Sequence, residues 1–117
     1  MQGISLNPDQ YASQNLGSGA LSATFSFGKR YKLDEILINF SQAVSEEVTI
    51  TMLSKNGTNY NTVLQDVVLV SQSSLVFRPQ GEANYQAGDK IKVQCTNANG
   101  VGICYVTIKS SQLGSGG

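Results

Sequence analysis

The stretch that decides the fold is Asp89-Lys90-Ile91-Lys92-Val93-Gln94-Cys95-Thr96-Asn97-Ala98-Asn99-Gly100-Val101-Gly102-Ile103-Cys104-Tyr105-Val106-Thr107-Ile108-Lys109. Apolar and polar residues alternate on both sides of Asn99-Gly100. Asn-Gly is the strongest short turn signal, because both central residues of a type I′ turn need positive φ. A two-residue loop at Asn99-Gly100 sets Cys95 opposite Cys104, Val93 opposite Val106 and Ile91 opposite Ile108. Side chains alternate along a strand, so these six share one face. That face is the expected core. The other face carries Lys90, Lys92, Gln94, Thr96, Ile103, Tyr105, Thr107 and Lys109.

In this register the pair at 95 and 104 is not hydrogen-bonded, and Cα atoms there approach to roughly 4.5 Å. A disulfide fits that spacing. Two buried thiols acting as small hydrophobes fit it equally, and a reducing cytoplasm favours them. Lys90 lies opposite Lys109, with Lys92 and Tyr105 beside them. These four make a candidate contact surface for carboxylates, phosphates or a sugar. The plainer reading is a solvated sheet face whose lysines discourage edge pairing.

Upstream, the alternation repeats. Leu21, Ala23, Phe25 and Phe27 form one face of a strand. Leu33 to Phe40 is a second strand, and Glu47 to Ser54 a third. Lys55-Asn56-Gly57 predicts a three-residue bulged turn with Gly57 in the left-handed position, setting Met52 opposite Tyr60, Ile50 opposite Thr62 and Val48 opposite Leu64. In that register Tyr60 belongs to the core. Strands at Asp66–Val70 and Ser74–Phe77 follow, and Pro79 ends the latter. No segment shows a sustained 3.6-residue apolar stripe. The expectation is an all-β chain: a single antiparallel β-sandwich or jelly roll of about seven or eight strands.

Residues 1–19 are rich in Gln, Asn, Ser and Gly, and read as an irregular N-terminal arm. The sandwich domain then spans residues 20–113. Gly114-Ser115-Gly116-Gly117 has the composition of an added linker.

The chain has 117 residues, 40% hydrophobic and 14% charged, with zero formal net charge. That suits one domain with a core. A general nucleic-acid or anionic-membrane binder would carry a basic excess, so neither partner is expected. Residues 1–11 lack a basic start and an apolar run, so no secretion signal is read there and the expected address is cytoplasmic. The sequence motifs Asn39-Phe40-Ser41 and Asn56-Gly57-Thr58 match the glycosylation acceptor pattern, which has no meaning without secretion.

There is no histidine. Ser-His-Asp and Cys-His nucleophile pairs cannot be built, and two cysteines fall short of a thiolate zinc site. Asp34-Glu35 and Glu46-Glu47 are neighbours that point to opposite faces of a strand. The expectation is a non-enzymatic protein with no catalytic residues, no metal and no cofactor.

Several motifs run in order along the domain: Leu33-Asp34-Glu35-Ile36-Leu37-Ile38-Asn39-Phe40-Ser41, Thr49-Ile50-Thr51, Gly57 to Tyr60, Phe77-Arg78-Pro79, Ala87-Gly88-Asp89 and Thr96-Asn97. Over roughly Leu21 to Ile108 the chain resembles small β-sandwich virion proteins of tailed bacteriophages. The resemblance implies a structural protein that decorates (cements) or stabilises a capsid, or a head or tail accessory. It implies a major capsid or other virion protein as partner, a homo-oligomer with the trimer favoured, and assembly in the host cytoplasm into the virion. The run Val48 to Tyr60 is also similar to discoidin-like carbohydrate-binding modules, which makes carbohydrate the alternative ligand.

Overall fold

The computed structural model describes residues 5–112 apart from residue 82. The first residues of the expected arm, the end of the expected domain at 113 and the linker at 114–117 lie outside the described residues. The chain is all-β. Two antiparallel sheets pack face to face, and one short 3₁₀ turn, Thr58–Tyr60, stands among the strands. Among the described residues no helix is long and apolar enough to cross a membrane.

The larger sheet is built on β10 (Ile103–Gln112) and β4 (Tyr31–Val44). On its far side β10 is flanked by β1 (Ser5–Leu6) and β2 (Gln10–Asn15). β4 is flanked by β7 (Gln72–Phe77) and β8 (Asn84–Tyr85). The smaller sheet runs β3 (Leu21–Phe25), β9 (Lys90–Cys95), β5 (Glu47–Leu53), β6 (Thr62–Val68). The core fills the space between them. Leu21, Phe25, Val48, Ile50, Ile91 and Val93 come from the smaller sheet; Leu33, Ile36, Ile38, Phe40, Val106 and Ile108 come from the larger. Each set follows period two along its strands, apart from a bulge at Asp34 that separates Leu33 from Ile36 by three, so the expected faces are the buried ones.

The strand pairing around Asn99-Gly100 differs from expectation. β9 and β10 are not hairpin partners: β9 pairs with β3 and β5, and β10 pairs with β2 and β4. All six inward residues are buried, but they face each other across the core rather than along a ladder. Alternation fixes which face is buried and leaves the partner open. Residues 96–102 are therefore an arch between the sheets. Asn99 does not adopt positive φ, whereas Gly100 and Gly102 do, at 61° and 82°. A type I′ turn needs both central residues there.

The β5–β6 hairpin exists, in another register. Met52 faces Thr62, Ile50 faces Gln65 and Val48 faces Val67, with an irregularity between Ile50 and Thr51. Gly57 has φ 122° and ψ 166°, a glycine-only extended conformation rather than the left-handed one expected. The connection is longer because Asn61 Oδ1 accepts the Ser54 N–H at 2.8 Å and the 3₁₀ turn is inserted. Tyr60 is 64% exposed, not core.

The expected irregular arm is in part a strand. β2 pairs along β10 from Asn15 opposite Ile103 to Gln10 opposite Ile108. Its inward side carries only Ala12 between two glutamines, too weak a pattern to announce a strand. Leu16, fully buried, anchors its end through its N–H to Gly102 O at 2.9 Å.

Candidate functional site

The four residues grouped from the sequence separate once β9 and β10 part. Lys90 and Lys92 belong to the smaller sheet, Lys92 lying between Thr24 and Thr51. Tyr105 and Lys109 belong to the larger sheet, on the opposite side of the sandwich. No single surface holds all four. Lys109 also pairs with Asp9 at 2.8 Å, and that contact raises its pKa. The missing hairpin register is the reason: the two lysine rows were brought together only by pairing β9 with β10.

Three regions remain on which a partner or a reaction can be built. The first is the outer face of the larger sheet. Along one row Tyr11, Thr107, Leu37 and Val76 sit side by side; in the next stand Ser13, Tyr105, Asn39 and Ser74. Tyr11 is 71% exposed and Tyr105 45%. The two rows carry no charge. An ionic row borders them, with Lys109 opposite Glu35, and Arg78 Nε 2.9 Å from Glu35 Oε2.

The second is the edge formed by β6 and β7. These strands are joined through residues 69–71 and end one sheet each. The opposite edge of the sandwich, between β2 and β3, is laced by Gln10 Nε2 to Ser26 O and Gln14 Nε2 to Gly19 O. At the β6–β7 edge neither strand has a fully buried residue. Leu64, Leu75, Phe77 and Tyr85 line a cleft of about 540 Å³ between the sheets. Val63, Val68, Val70 and Val76, on these strands and the link between them, are exposed. In 62–77 the one charged residue is Asp66. Natural edges are usually blunted by lysine or proline, and neither occurs in these two strands.

The third is the arch, organised by Glu46. Its carboxylate is buried and takes the Thr96 hydroxyl at 2.8 Å, the Ala98 N–H at 2.8 Å and the Asn99 N–H at 2.8 Å. Burial pushes this carboxyl up. Hydrogen bonds from Asn99, Thr96, Ala98 and Gly100 together outweigh it and hold the group below its ordinary value. Asn99 Nδ2 also reaches Ser45 O at 2.6 Å, and Ile103 N–H donates to Ser41 Oγ at 2.8 Å. Both oxygens of Glu46 accept from the arch, Oε1 twice and Oε2 once, so its role is structural. No signal in the letters Ser45-Glu46-Glu47 distinguishes it from a solvated acid.

Two other carboxylates, Asp89 and Asp34, are also occupied by the protein. Asp89, also buried, accepts the N–H groups of Lys55 at 2.9 Å and Gln86 at 3.0 Å, tying two loops together. Its carbonyl accepts the Tyr31 hydroxyl at 3.2 Å; burial drives that phenol's pKa well up. Asp34 accepts Ser111 Oγ at 2.6 Å. Among the described residues no group of three His, Cys, Asp or Glu gathers as a metal site.

Cys95 and Cys104 are free and completely buried, one in each sheet. The Cys95 thiol donates to Thr96 O at 3.4 Å, and the interaction between the two thiols lowers the pKa of Cys95 and raises that of Cys104. The two cysteines are not cross-strand neighbours, because β9 and β10 do not pair.

No protein-family profile matches the chain, and no curated protein matches it in sequence. Among solved structures it is similar to the Drosophila NLP-core, a structure described for pentamer formation and histone binding: 15% identity, TM-score 0.46, covering 89% of this chain and 98% of that one. A serine protease of Aeromonas sobria gives 12% identity and TM-score 0.41, over 95% of this chain and 27% of the protease. The infectious bursal disease virus Gx strain structure gives 10% identity and TM-score 0.27, over 99% of this chain and 41% of that one. All three likenesses are too distant to carry a function to this chain.

Proposed function

We propose that this protein is a non-enzymatic structural protein of a virion. It decorates or stabilises a phage capsid, or serves as a head or tail accessory, through protein–protein contacts with a major capsid or other virion protein. The observation that carries this reading is the open β6–β7 edge. Among the described residues these two strands have no neighbour on their outer side; they flank a cleft where Leu64, Leu75 and Phe77 stand beside Gln65, Arg78 and Gln80, and they carry exposed valines on their outer faces. Such an edge offers backbone hydrogen bonds and apolar side chains to another β-chain. Zero net charge adds no repulsion between copies. A homo-oligomer, with the trimer favoured, follows from the same reading.

Light scattering on the eluting protein tests it, together with co-sedimentation with phage capsids that lack a decoration protein. The expected result is a trimer that pellets with capsids. The double variant Val68→Lys/Val76→Lys is expected to lose at least one of the two associations. A protein that stays monomeric at every concentration and leaves capsids in the supernatant overturns the reading.

The second reading is a carbohydrate-binding module. Tyr11 and Tyr105, exposed on one uncharged sheet face, favour it, because flat aromatic rings offer an apolar stacking surface with a polar tip. Glycan-array binding that is lost in Tyr105→Ala, by a monomer that ignores capsids, would select it.

A further inference from the structure

The two core thiols do nothing in the reading above. We propose that Cys95 and Cys104 are an oxidisable pair that peroxide closes into a disulfide joining the two sheets across the core. Four observations point there. The cysteines end β9 and begin β10 on facing sheets, and both side chains are directed inward. The two thiols lie near enough to move each other's titration in opposite directions, and Cys95 donates to Thr96 O at 3.4 Å. The arch between them is held by Glu46, Ser41 and Ser45, so the two chain segments are already fixed in place. Sandwich folds also tolerate a bridge of this kind, as the inter-sheet disulfide of antibody domains shows.

The pair is also unequal. The interaction with Cys104 holds the Cys95 thiol below its ordinary value, while the same interaction and burial push the Cys104 thiol up, so Cys95 is the sulfur that ionises first. The oxidant must be small, because both sulfurs are out of contact with solvent. Cys95 thiolate attacks one oxygen of hydrogen peroxide, the O–O bond breaks, and a sulfenic acid and hydroxide result. The Cys104 sulfur then attacks the Cys95 sulfur. The S–S bond forms, the S–O bond breaks, and the Cys104 proton leaves with the departing oxygen as water. In sum two thiols and one peroxide give one disulfide and two waters. Closing so short a loop restricts the unfolded chain, and the folded form gains thermal stability.

The test is intact mass after peroxide treatment of the folded protein, followed by unfolding in an alkylating agent. The expected product is lighter by two hydrogen atoms, takes up no alkyl group, runs as a single chain without reductant, and reverts with dithiothreitol. Its melting temperature rises on the order of 10 °C. Uptake of two alkyl groups, added oxygen on either sulfur, or disulfide-linked dimers would overturn the proposal. Cys104→Ser must lose the melting shift; the same shift in that variant also overturns it. If Cys104→Ser does not fold, the mass result on the natural chain decides alone.

Discussion

This chain holds two Asn-Gly pairs, Asn56-Gly57 and Asn99-Gly100, each set between alternating strands. The first joins β5 to β6 within one sheet; the second carries the chain from β9 in one sheet to β10 in the other. The dipeptide is the same, and its local preference is the same. What differs is the surroundings. At 56–57 the loop is closed mainly by its own residues, Ser54 to Asn61, and by one carboxylate, Asp89. At 99–100 a buried carboxylate from a distant corner, Glu46, takes two backbone N–H groups of the arch, and Ser45 takes the Asn99 side chain. A two-residue turn would use the Ala98 N–H locally and leave the Asn99 N–H to water. Hydrogen bonds to a buried charge outweigh a turn preference, since each is worth more than a neutral one.

The comparison breaks hardest at Glu46. Glu46→Ala leaves the N–H groups of Ala98 and Asn99 without their acceptor and is expected to cost about 3 kcal/mol of stability. Urea unfolding measures it, and a loss under about 1 kcal/mol would mean that the arch does not depend on this carboxylate.

Acid probes the same contact more gently. The folded Glu46 carboxyl lies below its unfolded value of about 4.3. Its contribution is therefore complete above that pH and is lost as pH falls through the folded value. The stability gap between the natural chain and Glu46→Gln is expected to narrow below about pH 4. Other acids, such as the half-buried Glu47 whose pKa is raised by Asp66, are common to both proteins and cancel in the difference. A gap unchanged down to pH 3 would count against the arch contact.

The smallest effect belongs to the other turn. Gly57 holds a conformation that side chains rarely adopt, with no neighbour in the way of a Cβ. Gly57→Ala is expected to cost about 1–2 kcal/mol through backbone strain alone. A cost as large as that of Glu46→Ala would erase the contrast between the turns.

Much of the fold was legible because burial writes itself as alternation. Ile91, Val93, Cys95, Cys104, Val106 and Ile108 were readable as core from their spacing, and they are. The strand at Gln10–Asn15 was not, because one alanine between glutamines is no apolar stripe. Tyr60 was read inward only because a three-residue turn was assumed. The candidate surface fared worst: Lys90, Lys92, Tyr105 and Lys109 shared a face on paper and occupy two sides of the sandwich. The β6–β7 edge was not visible either, since an edge is defined by the absence of a neighbour.

By itself, then, the sequence determined the all-β class and the inward face of each strong strand, because period two is a local property of the extended chain. Only the tertiary structure decided which strands pair, that Asn99-Gly100 spans two sheets, and which edge stays open. Those choices rest on contacts between residues far apart in sequence, such as Glu46 with Asn99. The cysteines show both halves at once. Their spacing marked both as inward residues, and the packing of two sheets, rather than a hairpin ladder, is what sets them on facing sheets.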